Sequence, residues 1–320
     1  MKILISGIHG FVGSNLVEYL KNDNEIYGLD IISPEKAGVK KTYSWDDLSA
    51  GNIPEVDAII HLAGKAHDTK NKSAAEVYFQ VNTGLTHKIF DYFLASGARK
   101  FVLFSTAKAA ADRVEGVLTE DVVPSPVGPY GESKIMAEEY ILERYGDYGA
   151  SLAGTLDKFV YIFRPCMIHG PGNKGNLNLL YNVVSRGIPW PLGAFENRRT
   201  FTSVENICFA VNGVITKDVA PGIYNMGDDD ALSTNELIEE ICKALGKKTR
   251  IWRLPKGLMV GLANLGGWLH LPLNPDRLQK LTENYVSSNE KIKCALGVDK
   301  MPVDARTGLV RTIKSFRDQK

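Results

Sequence analysis

The chain predicts an α/β fold, a doubly wound parallel sheet followed by a smaller C-terminal lobe, and three observations carry that prediction. Apolar, β-rich runs recur at 2–6, 26–30, 57–62, 100–105 and 159–163 with helical stretches between them, the alternation that builds βαβ units. Runs such as Val56-Asp-Ala-Ile-Ile-His-Leu62 are almost continuously apolar, as suits strands covered on both faces. After Arg164-Pro165 the rhythm breaks at Pro171, Pro189, Pro191 and many Gly and Asn, and only Thr200-Phe-Thr-Ser-Val204 and Gly222-Ile-Tyr-Asn-Met226 read as further short strands. Residues 1–164 are therefore expected to form the sheet domain, joined by strand segments from 199–226, and 165–320 to form mainly the second lobe.

The first strand, Lys2–Ser6, runs straight into Gly7-Ile-His-Gly10-Phe-Val-Gly13, which opens an amphipathic helix carrying Phe11, Val12, Leu16, Val17 and Leu20. That sequence suits a pyrophosphate, because unpaired N–H groups and the dipole at a helix N-terminus attract anions. Gly7 permits the tight turn, Gly10 lets phosphates reach backbone, and Gly13 lets the helix pack closely on its strand. The next apolar run ends in Asp30, the acid expected to meet the adenosine ribose; its charge repels a 2′-phosphate, so NAD is favoured over NADP. Later, Ser233 with Glu236 forms a capping box for a helix over 230–245 whose apolar face holds Leu237, Ile238, Ile241 and Leu245, and Gly246 stops it.

Chemistry is expected from Tyr130-Gly-Glu-Ser-Lys134, which sets a phenol and an ammonium one helical turn apart on one face. Lys134, together with a positively charged nicotinamide ring, is expected to lower the Tyr130 pKa towards the working pH, making the phenol an acid or base. The strand Phe101-Val-Leu-Phe-Ser-Thr106 delivers Ser105 and Thr106 to the carboxyl edge of the sheet, where a hydroxyl can hydrogen-bond the reacting oxygen.

Together the glycine loop, Thr106, Tyr130 and Lys134 resemble the extended short-chain dehydrogenase/reductase family, the nucleotide-sugar epimerases and their relatives, along essentially the whole chain. The resemblance implies a Rossmann-type NAD(P)-binding domain with a C-terminal substrate-binding lobe, and it assigns further positions. His61-Leu62-Ala63-Gly64 resembles the family's strand end beside the cofactor, and Asn82 its helix asparagine. Arg164-Pro165 with Ile168-His-Gly-Pro-Gly172 resembles R-P-x-x-x-Y-G-P-G, with His169 where tyrosine is usual, so Pro165 joins Phe11, Val12 and the residues above as cofactor contacts. Asn176 and Arg199 resemble positions that hold the nucleotide diphosphate of the sugar, a task for which an arginine fork is suited.

At 320 residues and a net charge of +1 the chain can bury a large core and carries no long basic stripe, so nucleic acid is not an expected partner. Cys166, Cys208, Cys242 and Cys294 are isolated, no leader precedes the first strand, and a reduced, cytoplasmic protein is expected. The histidines show no metal-ligand spacing, so no metal is expected. The uncharged run 257–273 is too short and glycine-rich to span a bilayer; it reads as a buried or lobe-packing helix ended by Pro272, with membrane-surface contact the alternative if the substrate is lipid-linked.

The family's 4,6-dehydratases follow their threonine with an acid pair, whereas Ala107-Lys108 stands here, which disfavours dehydration. Two activities stay open. A UDP-hexose or UDP-N-acetylhexosamine 4-epimerase would work through a 4-keto intermediate, and an NAD(P)H-dependent reductase of a UDP-4-keto-6-deoxy sugar would use Thr106, Tyr130 and Lys134 in the same places. A binding protein that has lost catalysis is disfavoured by the intact triad. Family resemblance also implies a homodimer built on helices near 74–95 and 130–145.

Overall fold

Seven parallel strands form the central sheet: β1 Lys2–Ser6, β2 Glu25–Leu29, β3 Val39–Tyr43, β4 Ala58–His61, β5 Lys100–Phe104, β6 Phe159–Pro165 and β7 Gly222–Met226. The structure is a computed structural model that describes residues 1–65, 74–151, 157–173, 175–269 and 274–318. Strand order is β7-β6-β5-β4-β1-β2-β3, so the winding direction reverses between β1 and β4, the place where an open α/β sheet leaves a crevice outside its carboxyl ends.

The apolar runs supply six of these strands within a residue or two of their expected ends. The edge strand β3 has no such run: Lys40 and Lys41 stand exposed on it, which protects a sheet edge but removes the apolar signal. Of the two short runs beyond Pro165, Gly222–Met226 joins the sheet beside β6, whereas Phe201–Ser203 pairs with Met167–His169 away from it.

One face of the sheet packs under helices Phe11–Leu20 and Val204–Thr216 through Leu16, Val17, Ile207 and Val211. On the opposite face Ile89, Phe90, Phe93 and Ile141 come from Leu85–Ala95 and Pro129–Ser151. A separate cluster in the second lobe gathers Leu177, Tyr181, Ile238, Met259, Leu309 and Ile313. Its helix Thr234–Leu245 starts with Ser233 and Glu236 in a reciprocal capping box and ends at Gly246 in the left-handed region at φ +64°.

Of the buried or lobe-packing helix expected within 257–273, the lobe-packing form is present, through Met259 and Ala263 in the second lobe's cluster, and the buried form is not. Helix Lys256–Trp268 turns only Met259, Ala263 and Gly266 inward, a narrow stripe one side chain wide. Leu258, Val260, Leu262, Leu265 and Trp268 face outward, Trp268 being 77% exposed. The small residues let the helix touch the lobe along a line and leave the large ones without cover. Residues 270–273, including Pro272, lie outside the described residues.

The helix Pro129–Ser151 is fixed to the sheet by a buried ion pair. Arg164 on β6 donates from Nε and Nη2 to Glu138, with Nη2 to Oε2 at 2.6 Å, and the Ser105 hydroxyl at the end of β5 donates to the same carboxylate. Both charged side chains are buried, Arg164 at 2% exposure and Glu138 at 0%. Removing one partner strands the other charge in a low dielectric. Glu138→Ala should therefore lower unfolding stability by about 3–5 kcal/mol in urea titrations, against less than about 1 kcal/mol for a substitution of the exposed neighbour Glu139.

Candidate active site

The crevice begins at the glycine loop, whose residues are imposed by backbone crowding. Gly7 sits at φ +68°, and a Cβ there would lie 2.8 Å from the Ala63 nitrogen on the facing strand end. A Cβ on Gly13 would lie 2.5 Å from the Gly7 carbonyl oxygen and 2.8 Å from that of Ile8. Gly10 is the N-cap of Phe11–Leu20 and has no side chain to satisfy the helix's first N–H groups, which stay available to an anion. Phe11 lies under Gly170 and Gly172, and Asn15 donates to the Pro171 carbonyl at 3.0 Å, tying the loop after β6 to this helix. Val12 is half-buried beside Phe11. Asp30 follows β2 and accepts from the His9 backbone N–H at 3.1 Å and that of Ile31 at 2.8 Å, so its carboxylate also pins the glycine loop.

At the end of β4 a chain of hydrogen bonds fixes Leu62, Ala63 and Gly64. The Thr86 hydroxyl donates to the Asn82 carbonyl at 2.6 Å, so it accepts from His61 Nε2 at 3.0 Å. His61 Nδ1 then accepts from the Ser6 hydroxyl at 2.6 Å, and Ser6 accepts from the Ala63 N–H at 3.1 Å. Every donor has one acceptor only if the imidazole is neutral and carries its proton on Nε2. Burial, aided by the Lys134 charge, pushes the His61 pKa down to about 3, in agreement with that tautomer chain.

Asn82 joins this strand end to the helix that bears Tyr130. It lies in a π-helical stretch, Phe79–Gly84, a distortion often found at functional sites. Its Oδ1 accepts from the Lys65 N–H at 2.7 Å, and its Nδ2 donates to the Ser133 hydroxyl at 2.9 Å, which in turn donates to the Tyr130 carbonyl at 3.0 Å. The buried Lys134 ammonium donates to the Phe104 carbonyl at 2.9 Å, and a Cβ on Gly64 would lie 3.0 Å from both Lys134 Nζ and Asn82 Oδ1. Burial lowers the Lys134 pKa to about 8, partly opposed by Glu138. Gly131 allows this helix to approach the Lys108 carbonyl, which a Cβ would meet at 2.7 Å.

Thr106 stands close enough to Tyr130 to act on its phenol, which in the protein alone is governed by burial more than by Lys134. Burial raises the Tyr130 pKa, and the Thr106 hydroxyl lowers it by a smaller amount. Lys134 is turned to a backbone carbonyl, so desolvation outweighs the expected lysine effect in the protein alone. Thr106 caps the short helix Ala107–Ala110, and Ser105, considered beside it, is committed to Glu138. Lys108 donates to the Asp112 carboxylate at 3.0 Å and lies 4.8 Å from the centre of the Tyr285 ring.

The expected diphosphate contacts, Asn176 and Arg199, come from the chain after β6. Asn176 opens the helix Asn176–Ser185. Arg199 is half-buried, donates to the Lys280 carbonyl at 3.1 Å and has its pKa lowered by burial. Arg199 lies within electrostatic reach of Cys166, which follows Pro165 at the end of β6; burial pushes that thiol up to about 12. His169 is buried between Thr312, at 2.9 Å from Nδ1, and Asp228, at 3.4 Å from Nε2, where it braces the lobe. Sequence reasoning missed Ser6, Thr86, Ser133 and Glu138; only the polar residues at strand ends and inside otherwise apolar helix faces could have signalled them.

Residues 3–227 match the family model described as the NAD dependent epimerase/dehydratase family. The chain belongs to that family. A UDP-glucose 4-epimerase of Vibrio cholerae is 30% identical over 278 residues, covering 79% of this chain and 78% of the relative. N-acetyl-alpha-D-glucosaminyl-diphospho-ditrans,octacis-undecaprenol 4-epimerase of Escherichia coli O157:H7 is 28% identical over 301 residues, 91% of this chain and 84% of the relative. In fold, MoeE5 in complex with UDP-glucuronic acid and NAD superposes with a TM-score of 0.77 at 20% identity, covering all of both chains. The family cofactor, NAD, fits the crevice: Gly7 and Gly13 allow the loop backbone to close on itself and on Ala63, and the helix N-terminus at Gly10, without a side-chain cap, leaves N–H groups for a pyrophosphate.

As a member of this family the chain should need that close packing of loop and helix undistorted. Gly13→Ala is expected to weaken NAD binding at least tenfold in calorimetric titration, a loss of about 1.4 kcal/mol, because only backbone can yield. The His61 chain gives a pH signature. Its folded pKa lies below the ordinary value of 6.5, so the unfolded state binds the proton first, and stability is lost as pH falls from about 6.5 towards 3. In scanning calorimetry between pH 7 and pH 4, His61→Asn should start less stable than the parent and lose less on acidification.

Proposed function

We propose that this chain is an NAD-dependent 4-epimerase of a UDP-hexose or UDP-N-acetylhexosamine, working through a 4-keto intermediate. The observation that carries the reading is the closeness of Tyr130 to Thr106 at the end of β5, beside Lys134 and the glycine loop, with Lys108 held by Asp112 where a dehydratase needs acids. Bound NAD supplies the acceptor and donor for the hydrogen at C4 of the sugar. In the proposal Tyr130 removes the proton of the C4 hydroxyl and later returns one, while the Thr106 hydroxyl holds the same oxygen. Lys134, Asn82 and Gly64 fix the cofactor side of the crevice, with Pro165, Leu62 and Ala63 at the strand ends and Asp30 at the ribose. Asn176 and Arg199 take the diphosphate.

The 4-epimerase relatives favour this reading over the 4-ketoreductase, as does Asp30, which suits NAD. A second reading keeps the chemistry and changes the carrier: the exposed apolar helix Lys256–Trp268 favours a lipid-linked sugar diphosphate, the class that the E. coli relative's name describes. The reading includes a cytoplasmic location and a homodimer through helices near 74–95 and 130–145, the second of which carries Met136 and Leu142 exposed.

Purified protein without added cofactor should convert UDP-GlcNAc or UDP-Glc, or a lipid-linked GlcNAc diphosphate on the second reading, into its C4 epimer. Tyr130→Phe should lower kcat by about 10²–10⁴ with the melting temperature unchanged. No turnover of any of these, together with NADH consumption on a 4-keto-6-deoxy sugar nucleotide, would contradict the epimerase.

A further inference from the structure

We propose that helix Lys256–Trp268 and the basic segment before it dock this protein on an anionic lipid surface. From the residue after Glu240 to the one before Asp276 the sequence has no acid, and Lys247, Lys248, Arg250, Arg253 and Lys256 stand exposed within that stretch. Among the described residues none of these five makes an ion pair; Lys243 alone in the stretch does, with Glu240. The segment is held in place: Trp190 donates to the Arg250 carbonyl at 2.9 Å, Trp252 to the Trp190 carbonyl at 2.8 Å and Gly193 to the Trp252 carbonyl at 3.0 Å. Lys247, Lys248 and Arg250 also line a cavity of about 230 Å³ with Val184 and Ile188.

The ladder feeds the cations directly into the apolar helix. Trp252 is 55% exposed at one end and Trp268 at the other, with Leu258, Val260, Leu262 and Leu265 uncovered between them. A helix of 13 residues is about 20 Å long, too short for a hydrocarbon core of about 30 Å, and no helix among the described residues is long and apolar enough to cross a membrane. Apolar bulk bounded by tryptophans and flanked by cations suits a helix lying in the interface plane. The charge selects lipid over a second copy of the chain: a two-fold contact through this face would bring its uncompensated cations towards their own copies, whereas an anionic headgroup layer neutralises them.

The surface is connected to the second lobe's candidate diphosphate site. Gly267 packs on Pro275, at 3.1 Å from a Cβ to the ring, and helix Pro275–Thr282 supplies the Lys280 carbonyl that accepts from Arg199. Docking stands on exposure and charge, independently of the epimerase reading, and its measurement uses no substrate.

The full chain is sedimented with vesicles of phosphatidylcholine alone and of phosphatidylcholine mixed with phosphatidylglycerol. Binding to the mixed vesicles, at least about tenfold weaker on phosphatidylcholine and reversed by salt, is expected. L262E/L265E and K247Q/K248Q/R250Q/R253Q should each weaken it at least about tenfold while the melting temperature and any turnover of a soluble UDP-sugar stay at the parent level. Failure of the parent to bind the mixed vesicles overturns the proposal, as does undiminished binding by the variants. A parent dimer that L262E/L265E converts to monomer in light scattering, without vesicle binding by the parent, also overturns it and assigns the face to a second copy.

Discussion

The carboxylate of Glu138, held by Arg164 and by the Ser105 hydroxyl, is the constraint on which the rest of the site depends. Tyr130, Lys134 and Glu138 are spaced four residues apart on one helix and share its inward face, so anchoring the third to β5 and β6 sets the height and rotation of the first two. Burying that ion pair is costly, and one nitrogen of Arg164, Nη1, has no partner among the described residues. A less polar anchor would pack as well but would leave rotation of the helix undefined. Here Asn82 adds a second fixed point through Ser133, and Gly131 lets the helix come down onto the segment after Thr106.

The two sides of the crevice are made rigid in different ways. The glycine loop is rigid because its backbone atoms already touch, with Gly7 against Ala63 and Gly13 against Gly7 itself. The β4 end is rigid because a single proton order runs from Ala63 through Ser6, His61 and Thr86 to Asn82. Both end at the sheet's switch point. A cofactor bound there meets groups already oriented, and little ordering remains to oppose binding.

The glycine loop, Asp30, Tyr130 and Lys134 were legible in the sequence because short spacings on one strand end or one helix face decide them. The six apolar strands were legible because burial on both faces leaves no alternation to mistake. β3 was not, since an exposed edge favours the lysines that hide it. The Ser6–His61–Thr86 chain and the Glu138 anchor join residues distant in sequence, and no local pattern encodes them. Spacing shows Lys134 near Tyr130 but cannot show its ammonium bonded to Phe104, and in the protein without the nicotinamide charge burial raises the Tyr130 pKa. For helix Lys256–Trp268 the packing on the lobe was legible but the extent of cover was not, because an apolar run has the same letters whether covered by protein or not; the acid-free basic flank was the signal available.

In the proposed epimerisation the hydrogen at C4 of the sugar leaves and returns within one closed site. The most direct test is turnover of UDP-GlcNAc carrying deuterium at C4, in ordinary water with unlabelled NAD added, followed by mass spectrometry and NMR of the epimer. The deuterium should stay at C4 of the product, absent from both the water and the added cofactor. Deuterium lost to water, or diluted into the added cofactor, would contradict the proposed epimerisation.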